Sequence, residues 1–357
     1  MARVTVPPPH NAVPSSGVRR ILFVRPRFLG DVCLTLPAVD AALAACPGAE
    51  AAYVTEAGLA PLLRDDPRFR HVFSVPAKPS AGETLALIGQ LRAFRPDVAF
   101  DFFCNPRSAV WTRASGARVR VGYPHKGWRS ALYTHHARPR VLSSVGFHLA
   151  SVAALGWHVP TGAVSPRLIV SETAREEARA GLRALGVRDG ALLVGMHPGA
   201  RWPTRRWSPE RFGELARRAL HEHMDAAVVV SAGPGESDMA RAVLEHLPAE
   251  RAKLVEGWPI ARFVALQSLC KAFVCGDTGP VHTAVAAGAP TLGLMSRNRP
   301  AMFFPYPEAD GHRAYWSRVE CSPCDRDECS DLRCLERLTV DGAWHLLGGM
   351  LAGARKR

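Results

Sequence analysis

The 357-residue chain contains no run of about 18 apolar residues, which excludes a segment long enough to span a bilayer as a helix. Residues 1–18 also lack the unbroken apolar core of a secretory signal peptide, and we expect them to form a disordered tail. These two absences predict a cytoplasmic protein. Its nine cysteines are then expected to be thiols or metal ligands rather than disulfides.

Two further signatures are missing. The only glycine cluster that resembles a dinucleotide fingerprint, Gly233-Pro234-Gly235-Glu236, lacks the third glycine and does not follow the first strand of a domain. No recognisable nucleic-acid-binding module accompanies the net charge of +13. Up to Ser165 there are 19 Lys and Arg against 9 Asp and Glu. This excess indicates an acidic partner, such as an anionic membrane face or a phosphorylated or carboxylated acceptor, unless it is simply a solvated basic surface.

Apolar strands alternate with helical segments along the chain, which is typical of parallel sheets covered by helices. In the first half, strands are predicted at 21–24, 51–54, 71–75, 98–101 and 119–122, and helices at 32–45, 59–64, 82–94 and 108–115. In the second half, strands are predicted at 192–196, 227–231, 253–256, 272–275 and 291–295, and helices at 172–186, 209–221, 281–287 and 340–352. Residues 159–166 are the best linker. We therefore predict two domains, at 19–160 and 161–338, and a C-terminal helical segment at 339–357.

Three motifs each follow a predicted strand and precede a helix. They are Phe28-Leu29-Gly30-Asp31, the stretch from His197 to Trp207, and the turn from Gly276 to Pro280. A glycine-bearing turn before a helix offers main-chain N–H groups and the positive end of the helix dipole, which suit a phosphate group. An ordinary strand–helix turn with an Asp N-cap would look the same when taken alone.

Taken together and in this order, the three motifs resemble glycosyltransferase family 9, whose best-known members are the ADP-heptose:lipopolysaccharide heptosyltransferases. The resembling stretches are FLGDVCLTLPA, HPGARWPTRRW and GDTGPVHTAVAAGAPTLGL. The resemblance implies the GT-B architecture, in which two Rossmann-like parallel-sheet domains face each other across a cleft. It also implies that residues 19–160 bind the acceptor and 161–338 the sugar nucleotide, with the last helix packing back on the first domain.

The resemblance also assigns roles to residues. Arg205 corresponds to a basic residue of the family and would stabilise the departing diphosphate. A plain surface cation is the alternative for Arg205. The other residues implied for the donor pocket are Thr204, Asp277, Thr278, Gly279 and His282, with Glu236 at the ribose or base end. Cationic and main-chain donors of this kind need no bound ion, and the sequences Asp65-Asp66 and Asp325-Arg326-Asp327 lie outside the resembling stretches.

In the first domain, Asp31 corresponds to the family's general base and Gly30 precedes it in the substrate-binding motif. An ordinary N-cap is the alternative for Asp31. Arg120, Lys126 and Arg129 would meet acceptor carboxylates or phosphates, or else be surface charges. For His197 we favour a structural hydrogen bond over direct donor contact.

A cysteine cluster near the C-terminus has the spacing C-x2-C-x4-C-x4-C, formed by Cys321, Cys324, Cys329 and Cys334. Four thiols at this density suit a structural zinc or iron ion, which would play no part in catalysis. Free thiols or a local disulfide are the alternative, because the spacing is not that of a standard zinc finger.

The resemblance thus predicts an inverting, metal-independent glycosyltransferase with no required cofactor. It would move a heptose from ADP-heptose onto the inner core of lipopolysaccharide, an anionic glycolipid, at the cytoplasmic face of the inner membrane. Alternatives are a family member with another sugar nucleotide or another acceptor (a polysaccharide or a protein), a GT-B-like sugar-nucleotide epimerase, and a non-enzymatic sugar-nucleotide-binding regulator. The sequence leaves the linkage position, the anomeric outcome and the oligomeric state open.

Overall fold

The chain divides into two compact units, residues 1–166 and 167–357. The structure is a computed structural model that describes residues 12–124, 127–140, 143–324 and 326–353. The boundary between the units lies at the end of the predicted linker, a few residues later than the predicted domain boundary.

The first unit is built around a six-stranded parallel sheet. Its strands are β1 Arg20–Val24, β2 Glu50–Glu56, β3 Phe69–Val75, β4 Val98–Asp101, β5 Val119–Gly122 and β6 His135–His136. Its helices are α1 Leu29–Ala45, α2 Ala81–Phe94, α3 Pro106–Ala114 and α4 Ser144–Ala153. The strands run as near-continuous apolar segments because helices cover the sheet, and residues 21–24 of β1 are fully buried.

The second unit repeats this arrangement. Its strands are β7 Leu192–His197, β8 Ala226–Ala232, β9 Ala252–Glu256, β10 Ala272–Gly276, β11 Thr291–Met295 and β12 Arg313–Trp316. Its helices are α5 Glu172–Ala184, α6 Pro209–Glu222, α7 Ser237–Leu244, α8 Ile260–Leu269, α9 Gly279–Ala286, α10 Pro300–Phe303, α11 Arg333–Glu336 and α12 Val340–Gly353.

Both sheets have the doubly wound strand order. The first runs β3-β2-β1-β4-β5-β6 and the second β12-β11-β10-β7-β8-β9, so the first strand of each unit pairs with its second and fourth. The order reverses between β1 and β4 in the first unit, and between β7 and β10 in the second. Ligands of such sheets bind at this point, beyond the carboxyl ends of the strands. The predicted fold class, two parallel sheets with flanking helices, is confirmed.

Helix α12 packs on α6 and β12, within the second unit. Its buried Ala343, Leu347 and Leu351 belong to the same apolar cluster as Trp207 and Phe212. The predicted packing of this last segment on the first domain stays a prediction.

Several local expectations differ from the structure. Residues 59–64 form only a 3-10 turn over Ala60–Leu62 rather than the predicted helix. The predicted tail 1–18 is attached near its end: the Val13 N–H donates to the Leu155 carbonyl (3.0 Å) and the Trp157 indole N–H to the Val13 carbonyl (2.8 Å). Residues 1–11 of that tail lie outside the described residues. Helices α4, α7, α8, α10 and α11 and strands β6 and β12 were not predicted. Within the described part of the chain, no helix is both long enough and apolar enough to cross a membrane.

Candidate active site

Asp31 lies in the first turn of α1, directly beyond the end of β1. It is the third residue of the helix rather than the residue before it, because the helix begins at Leu29, three positions earlier than predicted. One carboxylate oxygen accepts the Phe28 main-chain N–H at 3.2 Å, as in half of a capping box. Gly30, which precedes Asp31, is buried in the same turn.

The second carboxylate oxygen of Asp31 pairs with Arg25, Nη2 to Oδ1, at 2.9 Å. The other terminal nitrogen of Arg25 donates to the Phe102 carbonyl at 2.6 Å, which ties the end of β1 to the end of β4. The Arg25 guanidinium also lies over the Phe103 ring, 4.9 Å from its centre. About a third of the Asp31 side chain (31%) remains exposed, and a carboxylate accepts up to about four hydrogen bonds, so Asp31 can receive a further donor. The site thus lies at the reversal point of the first sheet.

Arg120 projects from β5, and main-chain oxygens already occupy its guanidinium. Its Nε donates to the Leu132 carbonyl and its Nη1 to the Ala117 carbonyl, both at 2.7 Å. Arg129 similarly donates to the Cys104 carbonyl at 3.0 Å. These contacts give both arginines a structural role, and acceptor binding by Arg120 stays a prediction. Lys126 lies outside the described residues.

Arg205 lies at the reversal point of the second sheet. The loop after β7 brings it to the turn after β10, where its Nη1 donates to the Asp277 main-chain oxygen at 2.8 Å. The two segments approach so closely that a Cβ on Gly276 would lie 2.6 Å from the Arg205 carbonyl oxygen. Arg205 Nε is buried and has no partner among the described residues. With five N–H donors in a planar fork, the guanidinium keeps donors for an anion.

Asp277 is buried and mainly positions its neighbours. Its Oδ2 accepts the Asn298 side-chain N–H at 2.7 Å and lies 3.7 Å from Arg205 Nη1. The carboxylate therefore balances part of the arginine charge and links it to the segment after β11. Asn298 was not predicted, because nothing in its local sequence shows that it meets Asp277.

The turn that opens α9 presents donors of its own. Thr278 is the N-cap residue, and its buried hydroxyl has no partner within the described ranges. Gly279 is the first helical residue, whose N–H lies at the positive end of the helix dipole. Together with Arg205, these groups form a concentration of anion-binding donors.

His282 lies in α9 one turn further on and is almost fully buried. Its Nδ1 meets the Tyr306 hydroxyl at 2.6 Å. The tyrosine, which sequence reasoning missed, fixes the plane of the imidazole ring.

Thr204 has a different environment from the one predicted. Its hydroxyl donates to the main-chain oxygens of Arg326 (3.1 Å) and Asp327 (3.2 Å), in the loop that carries the cysteines. Thr204 therefore holds the Arg205 loop to that segment. The carboxylate of Asp327 pairs with Arg297 at 2.8 Å.

Glu236 precedes α7, beyond the end of β8. Its Oε2 accepts the Gly233 N–H at 2.9 Å and lies 3.2 Å from His197 Nε2. Burial opposes ionisation, yet the hydrogen bond and charge of His197 and the Gly233 N–H hold the pKa of the Glu236 carboxyl below its ordinary value. These contacts agree with the prediction that His197 makes a structural hydrogen bond rather than contacting the sugar-nucleotide donor.

The cysteines of the C-terminal cluster, Cys321, Cys324, Cys329 and Cys334, are free thiols. They range from exposed at Cys321 to buried at Cys334. Within the described ranges, which leave out Asp325, no group of three or more His, Cys, Asp or Glu side chains is arranged to hold a metal. We therefore derive no step through a metal at this cluster, and a structural ion there stays a prediction.

Comparison with known proteins decides the family. Residues 84–334 match the sequence model of the family described as "Glycosyltransferase family 9 (heptosyltransferase)". The chain belongs to glycosyltransferase family 9. It is therefore a glycosyltransferase, and the resemblance carried by the three motifs is confirmed.

Relatives of this family 9 enzyme match it over most of their length. A Haemophilus influenzae protein provisionally named a glycosyltransferase is 25% identical over 91% of this chain and 95% of its own. Lipopolysaccharide heptosyltransferase 1 of Pseudomonas aeruginosa is 26% identical over 87% of each chain. The solved structure of ADP-heptose lipopolysaccharide heptosyltransferase II of Escherichia coli has a TM-score of 0.78 at 21% identity, and covers 94% of this chain and 99% of that one. The last likeness shows a shared GT-B fold.

Proposed function

We propose that this family 9 enzyme transfers a heptose from ADP-heptose to the inner core of lipopolysaccharide. The observation that carries the proposal is the group of donors at the reversal point of the second sheet: Arg205, the Thr278 hydroxyl and the Gly279 N–H. The names of the relatives, two of which are lipopolysaccharide heptosyltransferases, support the choice of sugar and acceptor.

The donor group suits a leaving diphosphate. When the bond between the sugar and the diphosphate breaks, negative charge develops on the departing oxygen. A partly buried guanidinium and a helix N-terminus stabilise that charge more strongly than water does, because they are already oriented and partly shielded from solvent. Arg205 is itself fixed by Asp277, so little reorganisation accompanies the reaction.

We infer that this fixed positive charge does the work that a carboxylate-bound metal does in other transferases. Arg326 and Asp327 lie next to Thr204, nearer to the donor group than their position in the sequence suggested. The described carboxylate of that sequence, Asp327, is paired with Arg297. Transfer is therefore expected to continue in excess EDTA.

Asp31 is the proposed base. Its carboxylate, held by Arg25 and by the Phe28 N–H, accepts the proton of the attacking acceptor hydroxyl. Attack from the face opposite the leaving ADP inverts the configuration at the anomeric carbon. In this assignment Arg25 orients Asp31 and does not touch the reacting atoms.

The charge of the first unit supports the proposed acceptor and location. The excess of Lys and Arg up to Ser165 suits an anionic glycolipid and peripheral association with the cytoplasmic face of the inner membrane. Arg120 and Lys126 stay proposed as acceptor contacts. A structural zinc or iron at the cysteine cluster also stays a proposal, and metal analysis of protein purified without chelators tests it.

The experiment that tests the function is product analysis with a panel of ADP- and UDP-sugars, with and without a lipopolysaccharide inner-core acceptor. We expect a heptosylated acceptor from ADP-heptose alone, and no turnover of the sugar nucleotide when the acceptor is omitted. Preferred use of a UDP-sugar would overturn the choice of donor. Conversion of the sugar nucleotide without acceptor would identify an epimerase instead.

A further inference from the structure

A buried series of side-chain contacts connects the end of β7 to Glu236. His197, the last residue of β7, has its Nδ1 3.0 Å from the Ser231 hydroxyl on β8, and Ser231 Oγ lies 3.1 Å from the Met196 carbonyl. The opposite ring nitrogen, Nε2, lies 3.2 Å from Glu236 Oε2. Both His197 and Ser231 are almost completely buried.

The number of available hydrogen atoms determines which atom donates in each of these hydrogen bonds. A carbonyl cannot donate, so the single hydrogen of the Ser231 hydroxyl goes to the Met196 carbonyl. Ser231 must then accept at Oγ, which places a proton on His197 Nδ1. The contact between Nε2 and the Glu236 carboxyl also requires one proton, because two lone pairs at this distance repel each other. The pKa of the Glu236 carboxyl lies below its ordinary value and its Oε2 already accepts the Gly233 N–H, so the carboxylate accepts this proton and His197 donates it.

Glycines leave room for the carboxyl group beside this donor. A Cβ on Gly199 would lie 2.2 Å from Glu236 Oε2, and one on Gly233 would lie 2.7 Å from the same atom. Gly233 also donates its N–H to Oε2 at 2.9 Å. Both donors, His197 and Gly233, thus engage the same oxygen. Oε1 keeps its lone pairs for a different donor.

We propose that His197 is a positioning residue for donor recognition: it holds Oε2 of Glu236 so that Oε1 accepts a hydroxyl hydrogen of the nucleotide ribose. The inference rests on the proposed function, in which ADP is the leaving group. An acidic residue beyond the second strand of a doubly wound unit is well placed for ribose hydroxyls, since the diphosphate lies at the neighbouring reversal point. A carboxylate only accepts, so it recognises a hydroxyl and rejects the analogue that lacks one.

The test uses two variants that each keep one end of the imidazole. The side-chain amide of His197→Gln can reach the position of Nε2 and still donate to Glu236. In His197→Asn the amide reaches only the position of Nδ1, so Ser231 keeps a partner, while Glu236 loses the imidazole donor and keeps only the Gly233 N–H. Binding of ADP, 2′-deoxy-ADP and 3′-deoxy-ADP is measured by calorimetry for the whole chain, after circular dichroism confirms folding.

We expect the wild-type enzyme to prefer ADP over at least one deoxy analogue by about tenfold or more. The preference should shrink to within about twofold in His197→Asn and in Glu236→Gln, and persist in His197→Gln. Ser231→Ala, which removes one oxygen, is the second variant should His197→Asn not fold, and the preference should shrink there as well.

Two results would overturn the inference. One is a His197→Asn enzyme that binds all three nucleotides more weakly by the same factor, because that pattern is a general structural loss. The other is a wild-type enzyme that binds ADP without discriminating against either analogue. A wild-type enzyme that binds none of the three would instead remove the proposed function, and the inference with it.

Discussion

Replacing Gly199 by Ala should displace Glu236 without removing any polar group. The added Cβ would lie 2.2 Å from Oε2, 2.3 Å from Cδ and 2.6 Å from Oε1 of Glu236. Non-bonded contacts are favourable only beyond about 3.5 Å, so the carboxyl group must move by about 1 Å. The side chain is flexible, and the fold should therefore survive the change.

A shift of that size breaks the contacts that hold Glu236. The 3.2 Å contact to His197 Nε2 and the 2.9 Å hydrogen bond from the Gly233 N–H would both exceed hydrogen-bonding distance. The displaced carboxylate can then no longer accept the proposed hydrogen bond from the nucleotide ribose. A hydrogen bond to a charged group contributes about 1.5–3 kcal/mol, and its loss corresponds to about a 10- to 100-fold weaker affinity for ADP.

Calorimetric titration with ADP measures this loss. Gly349→Ala is the matched control, because a Cβ at Gly349 meets no atom within 4 Å. The control should bind ADP as the wild type does. If Gly199→Ala also bound ADP with wild-type affinity, Glu236 would not contact the nucleotide, and the reasoning about this part of the site would be refuted.

Two further predictions concern charge. Arg205→Ala should lower kcat by about 100-fold, because the developing charge on the leaving group loses its cation. Arg205→Lys should recover part of the rate, since it restores a positive charge. Steady-state kinetics measure both effects, and equal rates for the wild type and the two variants would contradict this role. Burial lowers the pKa of His312 from 6.5 to about 4, so the unfolded chain binds a proton first as the pH falls, and folding weakens between these two values. Between pH 7 and pH 5 the free energy of unfolding should fall by about 2 kcal/mol more in the wild type than in His312→Gln, as measured by urea denaturation. An identical pH dependence of the two proteins would show that His312 titrates normally.

Most strands of the two parallel sheets could be predicted from the sequence. They are buried on both faces and therefore consist of short apolar runs, as in residues 21–24 and 272–275. The sequence was less informative for α4, whose Gly146 and β-branched residues do not favour a helix; that segment is helical where it packs on α1. Strand β12 is an edge strand of four residues, only partly buried, and carries little periodic signal.

For the site, residues within a motif were recognisable, and residues that reach it from elsewhere were not. Arg205, Thr278 and Glu236 each lie in the segment between a strand and the next α-helix, where a local pattern marks them. Asn298, Ser231 and Tyr306 meet the site only through contacts that depend on the tertiary fold. Thr204 was assigned from its neighbour Arg205, yet its hydroxyl points to the cysteine loop, and the two side chains leave the short 3-10 helix Pro203–Arg205 towards different partners.

The most direct test of the account is the Asp31→Asn enzyme, which keeps the shape of the side chain and removes its ability to accept a proton. Heptose transfer from ADP-heptose to the inner-core acceptor should fall by about 100-fold or more, while calorimetry finds ADP affinity within about twofold of the wild type. Transfer at the wild-type rate by this variant would contradict the assignment of Asp31 as the base.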